Sequence, residues 1–190
     1  NPEFVLACDK ENISFIGPSA KIMNELGNKS NARKIAEKVK VPVLPASEPL
    51  SKNFEKVKKI AQKIGLPVML KASWGGGGRG MRPIYDLEDL KDKIREGRRE
   101  SLTSFGNDES FFEKLILNAR HVEVQILGDK KGNIYHLFER DCSIQRRNQK
   151  VVERAPAPYL TDLQRDEVCE YAKKICSYVK SDPTKKIIYY

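Results

Sequence analysis

The sequence predicts an α+β chain: a small mixed α/β lobe followed by part of an antiparallel-sheet lobe. Three observations predict it. Short β-rich runs alternate with amphipathic helical stretches through residues 46–115, and from residue 121 onward the β-rich runs are joined by tight turns instead. At 190 residues the chain can bury one full core or two small ones without disulfides or a structural metal.

The first β-rich run is "ISFIGPS", stopped by Gly17 and Pro18 and followed by a helix whose Ile22, Met23 and Leu26 share a face before Gly27. A second helix is predicted over residues 30–40. Pro42 and Pro45 in "VPVLPASEPL" then force an extended connection, which sets a boundary between residues 1–45 and the next unit. Ser51 is placed to cap a helix carrying Phe54, Val57, Ile60, Ala61 and Ile64, with Gly65 as its stop. A strand "PVMLKAS", a glycine loop and "GMRPIY" follow. Asp86 is placed to cap a helix with Leu87, Leu90 and Ile94, and "SFFEKLI" closes the lobe of residues 46–115 as a strand.

Residues 116–190 begin a third unit. In "HVEVQILG", alternation puts Val122, Val124 and Ile126 on a core face and leaves His121, Glu123 and Gln125 on a face free for chemistry. "DKKGN" supplies a turn, and "IYHLFERDCSIQRRNQKVVERAPAP" continues as one or two antiparallel strands with an Arg- and Gln-rich loop between them. Thr161 and Gln164 form a capping-box pattern ahead of a helix with Val168, Ala172, Ile175 and Val179 as its buried stripe.

Composition narrows the function. Hydrophobic residues at 39% and charged residues at 32% suit a soluble globular protein and leave no membrane-spanning run. Residues 1–10 lack an initiator Met and the order of a signal peptide, and read as the start of a segment from a longer protein. Cys8, Cys142, Cys169 and Cys176 form no CxxC pair, and only His121 and His136 could add to them, which argues against zinc. Cys169 and Cys176 lie roughly 10 Å apart along one helix, beyond disulfide reach, so reduced thiols and a cytoplasmic setting fit. The net charge of +9 asks for an anionic partner. It is dispersed over Lys-rich helix faces without a nucleic-acid recognition motif, which argues against DNA or RNA.

The chemistry concentrates in "VMLKASWGGGGRGMRP". Gly75 to Gly78 cost backbone entropy on ordering, and bare main-chain N–H groups flanked by Lys71 and Arg79 suit an anion. The glycines alone fit a hairpin tip equally well, and neither the Walker A pattern nor the dinucleotide fingerprint matches. Lys71, inside an apolar strand, is either at an exposed alternate position or aimed into a cleft toward phosphate. In "FFEKLI", Glu113 would stand at a lobe edge where a carboxylate could accept from ribose hydroxyls. In "ERDCSIQRRNQK", Arg140, Arg146, Arg147 and Lys150 crowd together; acids such as Glu139, Asp141 and Glu153, or a bound anion, must balance them unless the stretch is a solvated loop.

The order "KASWGGGGRGMR", "FFEKLILNARHVEVQILGD", "HLFERDCSIQRRNQKVVERAPAP" resembles the biotin carboxylase component of biotin-dependent carboxylases, a member of the ATP-grasp superfamily, over about residues 1–178. Within that family, "LPASEPL", the glycine run and Asn148 with "QKVVERAPAPYL" look most like bacterial pyruvate carboxylases; acetyl-CoA carboxylase subunits usually carry His where Asn148 stands.

The resemblance implies an ATP-grasp fold fragment: residues 1–45 as the end of an N-terminal lobe, residues 46–115 as the lid, and residues 116–190 as the first part of the catalytic lobe. It implies that Lys29 and Lys71 bind ATP phosphates and that Gly77 and Gly78 lie in the loop that closes on them. Glu113, Lys114, Leu115 and Ile116 would hold adenine and ribose, His121, Gln145 and Asn148 would sit at the nucleotide, and Lys150 would be catalytic and bind bicarbonate. ATP, Mg2+ and biotin are the implied cofactors of the parent enzyme, with a biotin carrier domain as partner and a homo-oligomeric assembly. Its chemistry would be carboxylation of biotin through carboxyphosphate, feeding pyruvate to oxaloacetate. The alternatives are an acyl-CoA carboxylase or a non-catalytic nucleotide-binding module. The family's magnesium-binding carboxylates follow a strand that "KSDPTKKIIYY" does not match, so the segment itself is expected to hold no metal, to be inactive alone, and to leave its polar tail unpaired.

Overall fold

The structure, a computed structural model, describes residues 1–129 and 131–179. The expectation for the tail after Val179 therefore lies outside the described residues, as does Lys130 in the "DKKGN" turn.

Residues 1–45 are helical. Helix α1 (Pro2–Lys10) starts with Pro2 in its first turn, and the Asn1 side chain accepts from Glu3 N at 2.9 Å. No helix was expected here, because only Val5 and Cys8 are buried while Phe4 and Leu6 face outward, so the apolar residues form no clean stripe. "ISFIGPS" is irregular, not a strand. A β-rich run becomes a strand only where a neighbouring strand takes up its N–H and C=O groups; among the described residues no strand pairs with it, Ile13 N donates instead to Cys8 O at 2.8 Å, and Ile13 and Ile16 are exposed. Helices α2 (Ala20–Gly27) and α3 (Lys29–Lys38) follow, capped by the Ser19 and Asn28 side chains.

The lobe of residues 46–115 is one three-stranded antiparallel sheet backed by two helices. Helix α4 (Phe54–Ile64) is capped by Asn53, whose carboxamide accepts from Lys56 N at 3.0 Å. Ser51, the expected cap, accepts from Asn53 N at 3.3 Å, two residues too early. Strand β1 (Val68–Ala72) lies between β2 (Arg82–Ile84) and β3 (Ser110–Lys114). Helix α5 (Leu90–Phe105) begins later than expected. Asp86 Oδ1 accepts from both Glu88 N and Asp89 N at 3.0 Å, an Asx turn that holds Leu87 outside the helix. Val68, Leu70, Ile84, Leu90 and Phe112 are fully buried between sheet and helices. Each such side chain contributes about 1.5–3 kcal/mol by leaving water.

The second sheet contains β4 (Val122–Gly128), β5 (Ile134–Arg146) and β6 (Gln149–Arg154) in that order, covered by α6 (Asp162–Val179). The alternation read in β4 is interrupted by a register shift between Val124 and Ile126, opposite the left-handed Phe138. The Arg- and Gln-rich loop expected between β5 and β6 is only a turn at Arg147 and Asn148, both with positive φ, because the strands run on to Arg146 and from Gln149. The capping box forms as read: Gln164 N donates to Thr161 Oγ1 at 3.3 Å and Thr161 N to Gln164 Oε1 at 3.0 Å. Cys169, Cys176 and Val179 are the buried positions of α6, with Val168, Ala172 and Ile175 half-buried beside them. All four cysteines are buried and free.

Candidate nucleotide site

The glycine run leaves the end of β1 and is held at its entry. Ser73 N donates to Glu109 O and Lys29 N donates to Ser73 O, each at 2.9 Å, so the start of α3 is tied to the first residue before the loop. The Lys29 ammonium donates to Gly75 O. Two glycines of the four are demanded by close approach. A Cβ on Gly75 would lie 2.3 Å from the Phe105 ring, and one on Gly78 would lie 2.6 Å from Asn148 Cβ at the β5–β6 turn. Gly76 and Gly77 have nothing within 4 Å and stand open at the tip.

Lys71 points from the outer face of β1, where its ammonium pairs with the Glu113 carboxylate on β3. Their side chains are 25% and 20% exposed, so the pair sits in a cleft, not on a solvated face. Lys29 lies close enough to feel this charge. Burial, and then repulsion from Lys71, holds the Lys29 ammonium below the ordinary lysine value. Two lysines thus lie near each other at the entry of the loop, Lys29 on Gly75 O and Lys71 paired with Glu113.

Lys114 is turned away: its ammonium donates to Gly65 O at 2.8 Å and Leu66 O at 2.9 Å, closing the C-terminal end of α4. Its side chain is committed to structure, and only its backbone could serve a ligand. Leu115 N donates to Pro67 O at 3.1 Å, and Ile116, at the exit of β3, is exposed.

The second sheet supplies the opposite wall. Gln145 Nε2 lies 2.8 Å from His121 Nδ1 and donates to Cys142 O at 2.9 Å. An amide donor on Nδ1 leaves the ring proton on Nε2, which lies 3.8 Å from the Glu123 carboxylate. Lys150 pairs with Gln145 across β5 and β6, and its ammonium donates to Glu123. Glu123 is the hub that sequence reasoning missed. Arg140 grips it through Nε at 3.1 Å and through a second guanidinium nitrogen, donates to Gln125 Oε1 at 2.8 Å, and approaches Glu153 at 3.2 Å. Burial raises the Glu123 carboxyl pKa, but the hydrogen bonds and charges of Arg140 and Lys150 outweigh it and hold the group at about 2. The same contact raises Lys150 above the ordinary lysine value. The signal was present in the alternation of β4, which places Glu123 on the free face beside His121.

Glu123, Cys142 and Glu153 bring ligand-type atoms within 4.8 Å of one another. Arg140 and Lys150 already pair with both carboxylates, so this set is charge-balanced without a cation. No helix among the described residues is long and apolar enough to cross a membrane.

The structure therefore brings Lys29, Lys71, Gly77, Gly78 and Glu113 together on one wall and His121, Gln145, Asn148 and Lys150 on the other, with Gly78 against Asn148 as the bridge. Residues 28–189 match the family described as carbamoyl-phosphate synthase L chain, ATP binding domain. The chain is 45% identical over 179 residues to pyruvate carboxylase of Bacillus subtilis, covering 94% of this chain and 16% of that protein. It superposes on a biotin carboxylase from Campylobacter jejuni in complex with βγ-ATP with a TM-score of 0.90 at 44% identity, covering 94% of this chain and 40% of that one. The biotin carboxylase domain of Hydrogenobacter thermophilus 2-oxoglutarate carboxylase, solved as a dimer with MgADP, ADP and bicarbonate, gives 0.90 at 39% identity over 100% of this chain and 44% of that one. The chain thus spans less than half the length of each of these relatives. It belongs to the carbamoyl-phosphate synthase L chain ATP-binding family, and its fold is part of the ATP-grasp domain of biotin carboxylases.

Proposed function

We propose that this chain is the nucleotide-holding part of a biotin carboxylase domain, and that the parent protein is a pyruvate carboxylase. The carrying observation is the convergence of Lys29 and Lys71 on an open glycine tip, with Lys29 left short of negative charge. A triphosphate supplies that charge. Its phosphates would displace the Glu113 carboxylate from Lys71, and the open amides of Gly76 and Gly77 would take the remaining oxygens. The freed Glu113 would accept from ribose hydroxyls, and the backbone of residues 114–116 would meet the adenine edge.

On the facing wall, Lys150 is kept protonated by Glu123, so it can hold the bicarbonate anion beside the terminal phosphate. A bicarbonate oxygen would attack the γ-phosphorus while the bond to the ADP oxygen breaks, giving carboxyphosphate and ADP. The chain's residues contribute positioning and charge neutralisation, and His121 with its proton on Nε2 and Gln145 shape the pocket. Magnesium accompanies the nucleotide in such chemistry, but the acids described here are already paired with lysine or arginine, so no step is assigned to it in this chain. Biotin would arrive on a carrier domain. The pyruvate assignment rests on likeness to pyruvate carboxylases, and 2-oxoglutarate and acyl-CoA carboxylases are also among the relatives.

The test is ATP cleavage by the full-length protein, measured with and without bicarbonate and biotin and then with pyruvate, 2-oxoglutarate or an acyl-CoA as acceptor. Bicarbonate-dependent cleavage, reduced at least about a hundredfold by Lys71→Ala, and carboxylation of pyruvate are expected. ATP cleavage indifferent to bicarbonate would overturn the biotin carboxylase reading; carboxylation of another acceptor would overturn only the pyruvate assignment.

A further inference from the structure

The turn at Arg147 and Asn148 has left-handed φ values of 51° and 63°, a two-residue connection of the kind that asparagine and glycine tolerate best. Position 148 is thereby fixed at the tip of a hairpin whose strands are paired up to Arg146 and from Gln149. It projects across to the other lobe, where Gly78 has φ of 72° and comes so close that an added Cβ would lie 2.6 Å from Asn148 Cβ and 2.7 Å from Asn148 Nδ2. By contrast Gly76 and Gly77 touch nothing within 4 Å. The loop is anchored at its start through Ser73 and Lys29, and it meets the catalytic wall at Gly78.

We propose that Asn148 is the seat on which the glycine loop closes: a positioning residue that acts on the nucleotide through Gly78 and sets how far the loop can descend over the phosphates. This rests on the nucleotide reading of the site. A carboxamide is short, so the loop can sit directly on it, and a longer side chain at the same tip would hold the loop farther out. The two positions constrain each other. A side chain at 78 needs space that Asn148 occupies, and the space at 78 has a purpose only if something must approach it closely. Asn148 thereby links the wall that carries Lys150 to the wall that carries Lys71, which a contact with ribose alone would not do.

The experiment uses the full-length protein, with ATP affinity and hydrogen exchange of the peptide covering residues 74–80 as readouts. Asn148→Gly keeps the left-handed turn and removes the seat. It should weaken ATP binding about tenfold and abolish the protection that ATP gives to the loop, with the KM for bicarbonate unchanged. Gly78→Ala should also lose ATP affinity, and combining it with Asn148→Gly should recover part of that loss, since the collision partner is gone. The proposal is overturned if Asn148→Gly binds ATP with wild-type affinity and loop protection. It is equally overturned if affinity falls while an ATP-saturated loop stays as protected as in the wild type, because Asn148 would then touch the nucleotide directly. Failure of the wild-type protein to bind ATP at all would instead sink the reading of the site, a result these outcomes keep separate.

Discussion

Lys29 is the residue whose state a ligand should change most. Burial and the charge on Lys71 hold its pKa below 10.5, so the folded chain carries this ammonium at a cost at neutral pH. Stability from this group therefore rises as pH climbs through its lowered folded pKa toward 10.5, because deprotonation relieves the cost. An arriving phosphate reverses the balance by restoring the value, and the site must then take up protons. At alkaline pH below 10.5, where the lowered Lys29 is partly deprotonated, ATP binding should be accompanied by net proton uptake, seen as a dependence of the binding enthalpy on the ionisation enthalpy of the buffer. Lys29→Met should remove that dependence. Uptake of the same size in Lys29→Met would show that another group titrates. The paired Lys71 and Glu113 give the contrasting case, since each already holds the other's charge.

At the scale of elements, helix α6 is fastened to the second sheet by a buried ion pair. Glu139 is fully buried on the core face, and its Oε1 accepts from Ala157 N at 3.0 Å and from Arg165 Nε at 2.9 Å. Burial opposes its ionisation, but the Arg165 hydrogen bond prevails and lowers its pKa, so the pair stabilises above the ordinary glutamate value and fails as pH falls below it. Arg165→Met leaves a buried carboxylate alone and should lower Tm at pH 7 by on the order of 10 °C. Arg165→Met with Glu139→Gln should recover much of the loss, and no recovery would mean that Arg165 acts through its packing alone. This pair also shows how far sequence reading reached. Helices α2 and α4 to α6 and strands β1, β3 and β4 were legible in their apolar runs, β5 and β6 were read only as one or two strands around a loop, and the capping box at Thr161 was legible because its two partners lie three residues apart. Ser51 and Asp86 misled because each bonds a backbone N–H just short of a helix, which makes a turn resemble a cap. Helix α1 and the unpaired "ISFIGPS" were missed because tertiary surroundings, not local pattern, decide them. In the site, the lysines and glycines were readable, whereas the hub at Glu123 joins partners 17 and 27 positions away, a distance no local pattern encodes.

At the scale of the whole molecule, the described residues form two separate hydrophobic cores. One contains Leu70, Ile84, Leu90 and Phe112 within the lobe of residues 46–115; the other joins Ile22 and Ile35 to Val179. The extended connection around Pro45 is stitched onto β3 through Lys114 N to Pro45 O, Ser47 N to Phe112 O and Leu50 N to Ser110 O, each at 2.8 Å, and α3 reaches it through Arg33, which donates to Leu44 O, and through Lys34, which pairs with Glu48 at 2.6 Å. The bonds to β3 stay inside the lobe, and those from α3 cross into it. A lid that moves as a body needs a core of its own, and the bonds that must break or shift when it swings are those from Asn28, Lys29, Arg33 and Lys34 at α3. Residues 44–118 produced alone should therefore fold cooperatively, with coincident thermal transitions followed by far-UV and near-UV circular dichroism. A core this small supports only about 3–5 kcal/mol, and Phe112→Ala costs roughly that much, so this variant of the piece should be unfolded at 25 °C. In the full-length protein the same substitution should instead melt the lid while leaving α6 protected in hydrogen exchange. Loss of protection in both together would mean that the two cores unfold as one unit, and the glycine loop would then be opened by unfolding of the whole domain.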